Sequence, residues 1–269
     1  MRVADLVRLL EQRYPTSWAE AWDRVGLVLG EPEAPVTRVL LAVDCDESTA
    51  AEAVAAGAQL LVTHHPLLLR GVSSVAPTTY KGRVVHRLIR AGVALYTAHT
   101  NADVANPGVS DALAARLGLI DLRPLVPVGE DGRGHGRVGR LAEPLDLESF
   151  TQIAAAALPF TISGVRAGGD PARTVSTVAV CGGAGDSFLA DAVRAGVDAY
   201  LTADLRHHPA SEHLAGEGPA LIDAAHWATE RPWLDDVASY LRDAAGVETI
   251  VSDLGTDPWT LHVMKEPLA

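Results

Sequence analysis

Residues 53–66 read AVAAGAQLLVTHHP, a helix-to-strand phrase that stops on two histidines and a proline. Small helix-forming residues run up to Gly57, where a left-handed helix C-cap is wanted. The short apolar run from Leu60 to Thr63 then reads as a buried strand. Pro66 cannot donate to a ladder, so the strand ends beside His64 and His65. Neighbouring side chains inside a strand point to opposite faces, and only such an ending lets both histidines serve one site. The phrase returns as LIRAGVALYTAHTNAD (88–103), AVRAGVDAYLTADLRHHP (192–209) and LAGEGPALIDAAHWATE (214–230), with Gly92, Gly196 and Gly216 at the expected caps. Near-continuous apolar strands of this kind suit parallel sheets covered on both faces.

Two more strands, VLLAVD at 39–44 and VSTVAV at 175–180, each precede one of these helices. Residues 36–66 and 172–209 therefore read as corresponding βαβ units, which suggests an internal duplication. The fold class is α/β: two α/β domains of related βαβ build, with largely parallel sheets and a metal site at the C-terminal ends of the strands. The boundary is expected within 122–135, dividing a first domain, 1–128, open to completion by the C-terminal segment, from a second, 129–269. Between the halves, GEDGRGHGRVGR (129–140) reads as a turn, LDLESFTQIAAAAL as a helix and 161–165 as a short β-like piece. RPWLDDVASYLRDAAG is an amphipathic helix and VETIVSDL a last strand.

A chain of 269 residues with 48% hydrophobic content is long enough to bury a sizeable core. Its formal charge of −12 argues against a nucleic-acid or anionic-membrane surface, which needs a basic face. The two cysteines, Cys45 and Cys181, form no CxxC pair, which points away from a disulfide framework and toward a reducing compartment. The charged, amphipathic start and the lack of a long apolar run predict a cytoplasmic protein.

Ligands collect at the carboxyl ends of parallel strands, where the chemistry-bearing residues fall: His64 and His65, His99 and Asp103, Asp204, His207 and His208, then His226 and Glu230. His226 and Glu230, four apart at a helix start, share one face. Mixed imidazole and carboxylate ligation suits Zn, Mn, Fe, Co or Ni rather than Mg or Ca. Adjacent histidines, one per ion, with a bridging carboxylate would make a two-metal site that activates water. His86, His135, His213 and His262 read as solvated or packed, on a helix face, in a glycine loop, on a helix and in a terminal strand respectively. The loop holding Gly182, Gly183 and Gly185 could present N–H groups to an anion, but a tight strand-to-helix turn explains it equally well. Arg137 and Arg140 read as solvated loop residues with an anion role open. No GxSxG elbow is present, so covalent catalysis is disfavoured.

WDRVGLVLG, THHPLLLRGV, AHTNADVANPGVSDALAARLGL, CGGAGDSFLADAVRAGVDAYLTADLRHHPA and DAAHWATE occur in that order, and with them the chain resembles the YbgI/Nif-three-like family, whose members are often labelled GTP cyclohydrolase 1 type 2 homologues. The resemblance implies a two-domain protomer in a ring-like homohexamer with a dinuclear metal centre. It assigns His64, His65, Asp103, His226 and Glu230 as metal ligands, with Asp103 bridging, two divalent transition-metal ions per chain, and His99 beside them. Asp204 and His208 match the family's strand-end aspartate and the histidine that follows. Ala203, Ala225 and Arg24 depart from the family pattern at a glycine, a glycine and an asparagine, and none of them removes a ligand.

The functional expectation is a metal-dependent hydrolase acting on a nucleotide or other phosphorylated small molecule, GTP cyclohydrolase-like by resemblance, with His99 and Glu230 as proton-handling catalytic groups. The alternative is a non-enzymatic ring assembly that binds metal or a metabolite in a regulatory or scaffold role.

Overall fold

A computed structural model describes residues 1–263. In chain order the elements are α1 (Val3–Arg13), β1 (Gly26–Leu29), β2 (Arg38–Ala42), α2 (Glu47–Ala55), β3 (Leu60–Thr63), α3 (Tyr80–Ala91), β4 (Ala94–Thr97), α4 (Thr100–Asp103), α5 (Val109–Arg116), β5 (Ile120–Pro127), β6 (Gly134–Asp146), α6 (Leu147–Ala157), β7 (Val165–Gly168), β8 (Thr174–Ala184), α7 (Leu189–Ala195), β9 (Ala199–Ala203), α8 (His207–Ala215), β10 (Ala220–Ala224), α9 (His226–Ala245) and β11 (Glu248–Val251). The chain divides into two compact units: Met1–Val109 with Trp233–Leu254, and Ser110–Pro232 with the segment from Gly255.

The first unit carries the sheet order β1-β4-β3-β2-β11, parallel throughout except for β1. Leu40, Leu61 and Leu95 on successive strands pack with Ala50 and Ala53 of α2 and Val84 and Leu88 of α3. Each such leucine removed from water contributes about 1.5–3 kcal/mol. The register sets Ala42 beside Thr63 and Thr63 beside Thr97, so β2, β3 and β4 end level with one another. Whatever follows these ends must gather at one edge of the sheet.

The second unit has the order β5-β6-β8-β9-β10-β7. β8, β9 and β10 are parallel, and an antiparallel ribbon of β5 and β6 flanks them on one side and β7 on the other. The corresponding units read from sequence are present as β2-α2-β3 and β8-α7-β9, and the sheets taken together are mostly parallel.

Several local expectations are corrected. The chain divides at Val109/Ser110 rather than near 128, because β5 is a pairing partner of β6. The segment expected to be a turn at 129–140 is strand from Gly134 onward. A side chain at Gly136 or Gly139 would meet Val180 O at 2.8 Å or Leu122 Cδ2 at 2.7 Å, so glycine there permits close strand approach. Arg137 is not a solvated loop residue: it is buried, donating to Asp111 Oδ1 at 2.7 Å and to the carbonyls of Gly134 and Gly136. Arg140 pairs with Asp121. Gly57, Gly92 and Gly196 have left-handed backbones, but Gly216 does not; Glu217 carries the positive φ at that helix end. The β-like piece of 161–165 lies slightly later, as β7, and His262 is exposed outside any strand.

Candidate metal centre

In the first unit the level strand ends bring Asp44, His64, His65 and His99 together. β3 stops at Thr63, and the backbone N–H groups of His64 and His65 both turn to the carbonyl of Val43, at 3.1 and 2.8 Å. The imidazole rings then stand 5.0 Å apart, and the His99 ring lies 5.1 Å from His64 and 5.5 Å from His65. Nitrogen atoms of these three side chains approach within 4.8 Å of one another, close enough for a shared cation.

Each ring is held by Nδ1. His64 Nδ1 donates to the Ala98 carbonyl at 2.9 Å, His65 Nδ1 to Asp44 Oδ1 at 2.8 Å, and His99 Nδ1 to Asp23 Oδ1 at 2.9 Å. A carbonyl or carboxylate can only accept, so in each neutral ring the proton sits on Nδ1 and the lone pair on Nε2. That is the tautomer and orientation a metal-binding imidazole needs. His64 Nε2 lies 3.6 Å from Asp103 Oδ1, which places the predicted carboxylate beside the predicted ligand. His64 is fully buried, with Trp233 packed 5.3 Å from its ring.

Asp23 is the anchor of this cluster. Its side chain is buried; besides His99 it accepts from the backbone N–H groups of Thr100 and Arg24 and from the Thr100 hydroxyl at 2.5 Å. Burial alone would raise its pKa, but these donors outweigh it and hold the carboxyl well below the usual range.

The second unit holds the other candidates. His226 opens α9, donating from Nδ1 to Asp204 Oδ2 at 2.7 Å, while its Nε2 lies 3.0 Å from Glu230 Oε1 one turn on. An imidazole between two carboxylates calls for positive charge, which a proton or a metal ion can supply. Glu230 is only 3% exposed and cannot turn away to solvent. Asp204 holds a positive φ of 57°, a strained backbone for a non-glycine residue at the end of β9. Gly183 forms the floor: with φ at +69°, an added Cβ would sit 2.5 Å from Glu230 Oε1 and 3.1 Å from His226 Nε2. Its N–H donates to Thr229 Oγ1 at 2.9 Å, and that of Gly182 to Ser110 Oγ, so these amides are committed to packing rather than to an anion.

His64, His65, His99 and Asp103 are thus assembled in one unit, and His226 and Glu230, with Asp204, in the other. His207 and His208 stack edge-on to each other, exposed on the first turn of α8, and among the described residues neither joins a group of three potential ligands. His135 stacks on Phe188 and His213 Nε2 donates to Pro219 O, both in packing roles. Asp23 and Asp44 were not expected as site residues. Asp44 closes the strand read at 39–44 and is open to the rule applied to its neighbours; Asp23 lies inside the WDRVGLVLG motif, which carries the resemblance but gives that residue no role.

The Duf34/NIF3 (NGG1p interacting factor 3) family model matches residues 1–258. The chain belongs to the Duf34/NIF3 family. A Streptomyces coelicolor relative named GTP cyclohydrolase 1 type 2 homolog is 53% identical over 99% of this chain and 96% of its own length. A Mycobacterium tuberculosis protein of the same name is 38% identical over 370 aligned positions, covering 97% of each chain. Since this chain has 269 residues, at least 101 of those positions are insertions in the relative. A solved Bacillus cereus protein described as related to NIF3 superposes with a TM-score of 0.89 over 97% of this chain and 99% of its own; at 23% identity it supports the fold of this Duf34/NIF3 member and nothing finer. Among the described residues no helix is long and apolar enough to cross a membrane.

Proposed function

We propose that this Duf34/NIF3 protein is a cytoplasmic metal-dependent hydrolase acting on a nucleotide or other phosphorylated small molecule, in the sense of the GTP cyclohydrolase label its relatives carry, and that it assembles as a homohexameric ring. His64, His65, Asp103, His226 and Glu230 would hold two divalent transition-metal ions. The donor set fits: histidine nitrogen mixed with carboxylate oxygen suits Zn, Mn, Fe, Co or Ni. The observation that carries the reading is the fixed Nδ1 hydrogen bond of each proposed ligand histidine, His64, His65 and His226, which turns Nε2 toward the site. Gly183 supports it too, because the space beside Glu230 and His226 is kept clear of a side chain.

When bound, the ions supply Lewis acidity toward water and substrate. The protein's own groups orient and move protons. Ala98 O, Asp44 and Asp204 fix the ligand rings. Asp23 fixes His99 with Nε2 free to take up or deliver a proton, the arrangement of a general base oriented by a carboxylate. The Glu230 carboxylate is the second group able to carry a proton.

Elemental analysis of protein purified without added metal or an affinity tag tests this directly. About two transition-metal ions per chain, lost in His65→Ala, is the expected result. Wild-type protein that neither contains such ions nor takes them up refutes the hydrolase mechanism and leaves metabolite binding or scaffolding.

A further inference from the structure

Trp22 is 56% exposed, yet it stands on a loop that is tightly tied down. The loop turns through Asp23 N to Glu20 O at 2.9 Å, and Glu20 N donates to Thr100 Oγ1 at 3.0 Å. The next residue is the buried Asp23, with its bonds to His99, Thr100 and Arg24. The backbone on either side of the indole is therefore held in place. It meets the His99 ring edge-on at 6.0 Å, and His99 in turn lies against His64 and His65. A large, exposed aromatic surface thus stands at the rim of the candidate metal centre.

We propose that Trp22 is a specificity-determining residue: its exposed face stacks the planar heteroaromatic ring of the substrate beside the His64–His65–His99 cluster. This rests on the hydrolase reading and narrows its substrate class from phosphorylated small molecules in general to those carrying a flat ring, such as a nucleotide. A π-face accepts any base, so Trp22 supplies a ring preference rather than a choice among bases. Asp23 has a second role as positioning residue, since the carboxylate that holds His99 also holds the loop bearing the indole.

The experiment is calorimetric titration of the full-length, manganese-loaded protein with guanosine 5′-monophosphate and, separately, ribose 5-phosphate, which keeps the phosphate and lacks the ring. Base stacking on an aromatic residue corresponds to a loss of roughly 5- to 150-fold in affinity on truncation to alanine. Trp22→Ala should weaken the nucleotide by that factor and leave ribose 5-phosphate unchanged, while Trp22→Phe, which keeps a stacking face and guards against misfolding, should restore nucleotide binding to within a few-fold. Three results overturn the proposal: no nucleotide binding by wild-type protein, equal binding by wild type and Trp22→Ala, or equal losses for both probes. Metal content measured on the same preparations separates the two readings. Protein that holds its ions but shows no Trp22-dependent preference refutes the stacking role alone, whereas Trp22-dependent nucleotide binding in protein that takes up no metal refutes the hydrolase mechanism alone.

Discussion

Replacing Gly183 with alanine asks whether the geometry around Glu230 and His226 is built for a ligand or is incidental packing. The backbone there has φ at +69°, so alanine pays about 1–2 kcal/mol for a left-handed conformation. The new methyl would sit 2.5 Å from Glu230 Oε1 and 3.1 Å from His226 Nε2. Ordinary contact begins near 3.4 Å, so the carboxylate must retreat by about 0.9 Å, and with its side chain only 3% exposed it has nowhere free to go. Overpacking of this sort adds about 1–3 kcal/mol, for a total near 2–5 kcal/mol. Because the displaced atoms are the proposed ligands, metal affinity should fall about 10–100-fold as well. Gly196→Ala is the matched control: it has φ at +66° in the same unit and nothing within 4 Å of an added Cβ. It should show the backbone cost alone, about 1–2 kcal/mol, with metal affinity unchanged. Urea unfolding and manganese titration of both variants give the two readouts. Equal stability and equal metal affinity in the two variants would refute the argument.

Two further substitutions probe the second unit. Asp198 Oδ2 accepts from Ser176 N, Thr177 N and Thr177 Oγ1 at 2.8–2.9 Å. Burial opposes ionisation, but these donors and the nearby Arg173 prevail and hold its pKa below the ordinary 3.8. A lowered folded pKa means stabilisation present in full above about pH 4 and lost as pH falls through the folded value. Asp198→Asn should therefore cost about 1–2 kcal/mol at pH 7, with the deficit shrinking below pH 4; a deficit in urea midpoint that is constant from pH 7 to pH 3 contradicts this. Arg137→Ala should cost about 3–5 kcal/mol by stranding Asp111, whereas the double change Arg137→Met with Asp111→Leu should recover most of it. A double variant as unstable as the single one would show that the guanidinium's bonds to Gly134 O and Gly136 O, not the ion pair, carry the stability.

The repeated helix–glycine–strand phrase was enough to specify α/β architecture and to put histidines at strand ends, because apolar runs, glycine caps and proline stops are local signals. It was enough, too, to nominate His64, His65, His99, Asp103, His226 and Glu230, since strand ends in parallel sheets converge whatever the details. It misplaced the boundary and mistook the glycine-rich segment for a turn, because β6 exists only through its partners β5 and β8. Arg137 looked solvated for the same reason: its partner Asp111 is 26 residues away.

What only the tertiary structure decided is which atom of each histidine is offered. The carbonyl of Ala98, the carboxylates of Asp44, Asp23 and Asp204, and the missing side chain at Gly183 lie between 21 and 76 residues from the groups they position. A spacing along the chain can place an imidazole at a strand end. Only packing across the sheet, through acceptors that cannot donate, determines that Nδ1 is the nitrogen held and Nε2 the one turned toward the site.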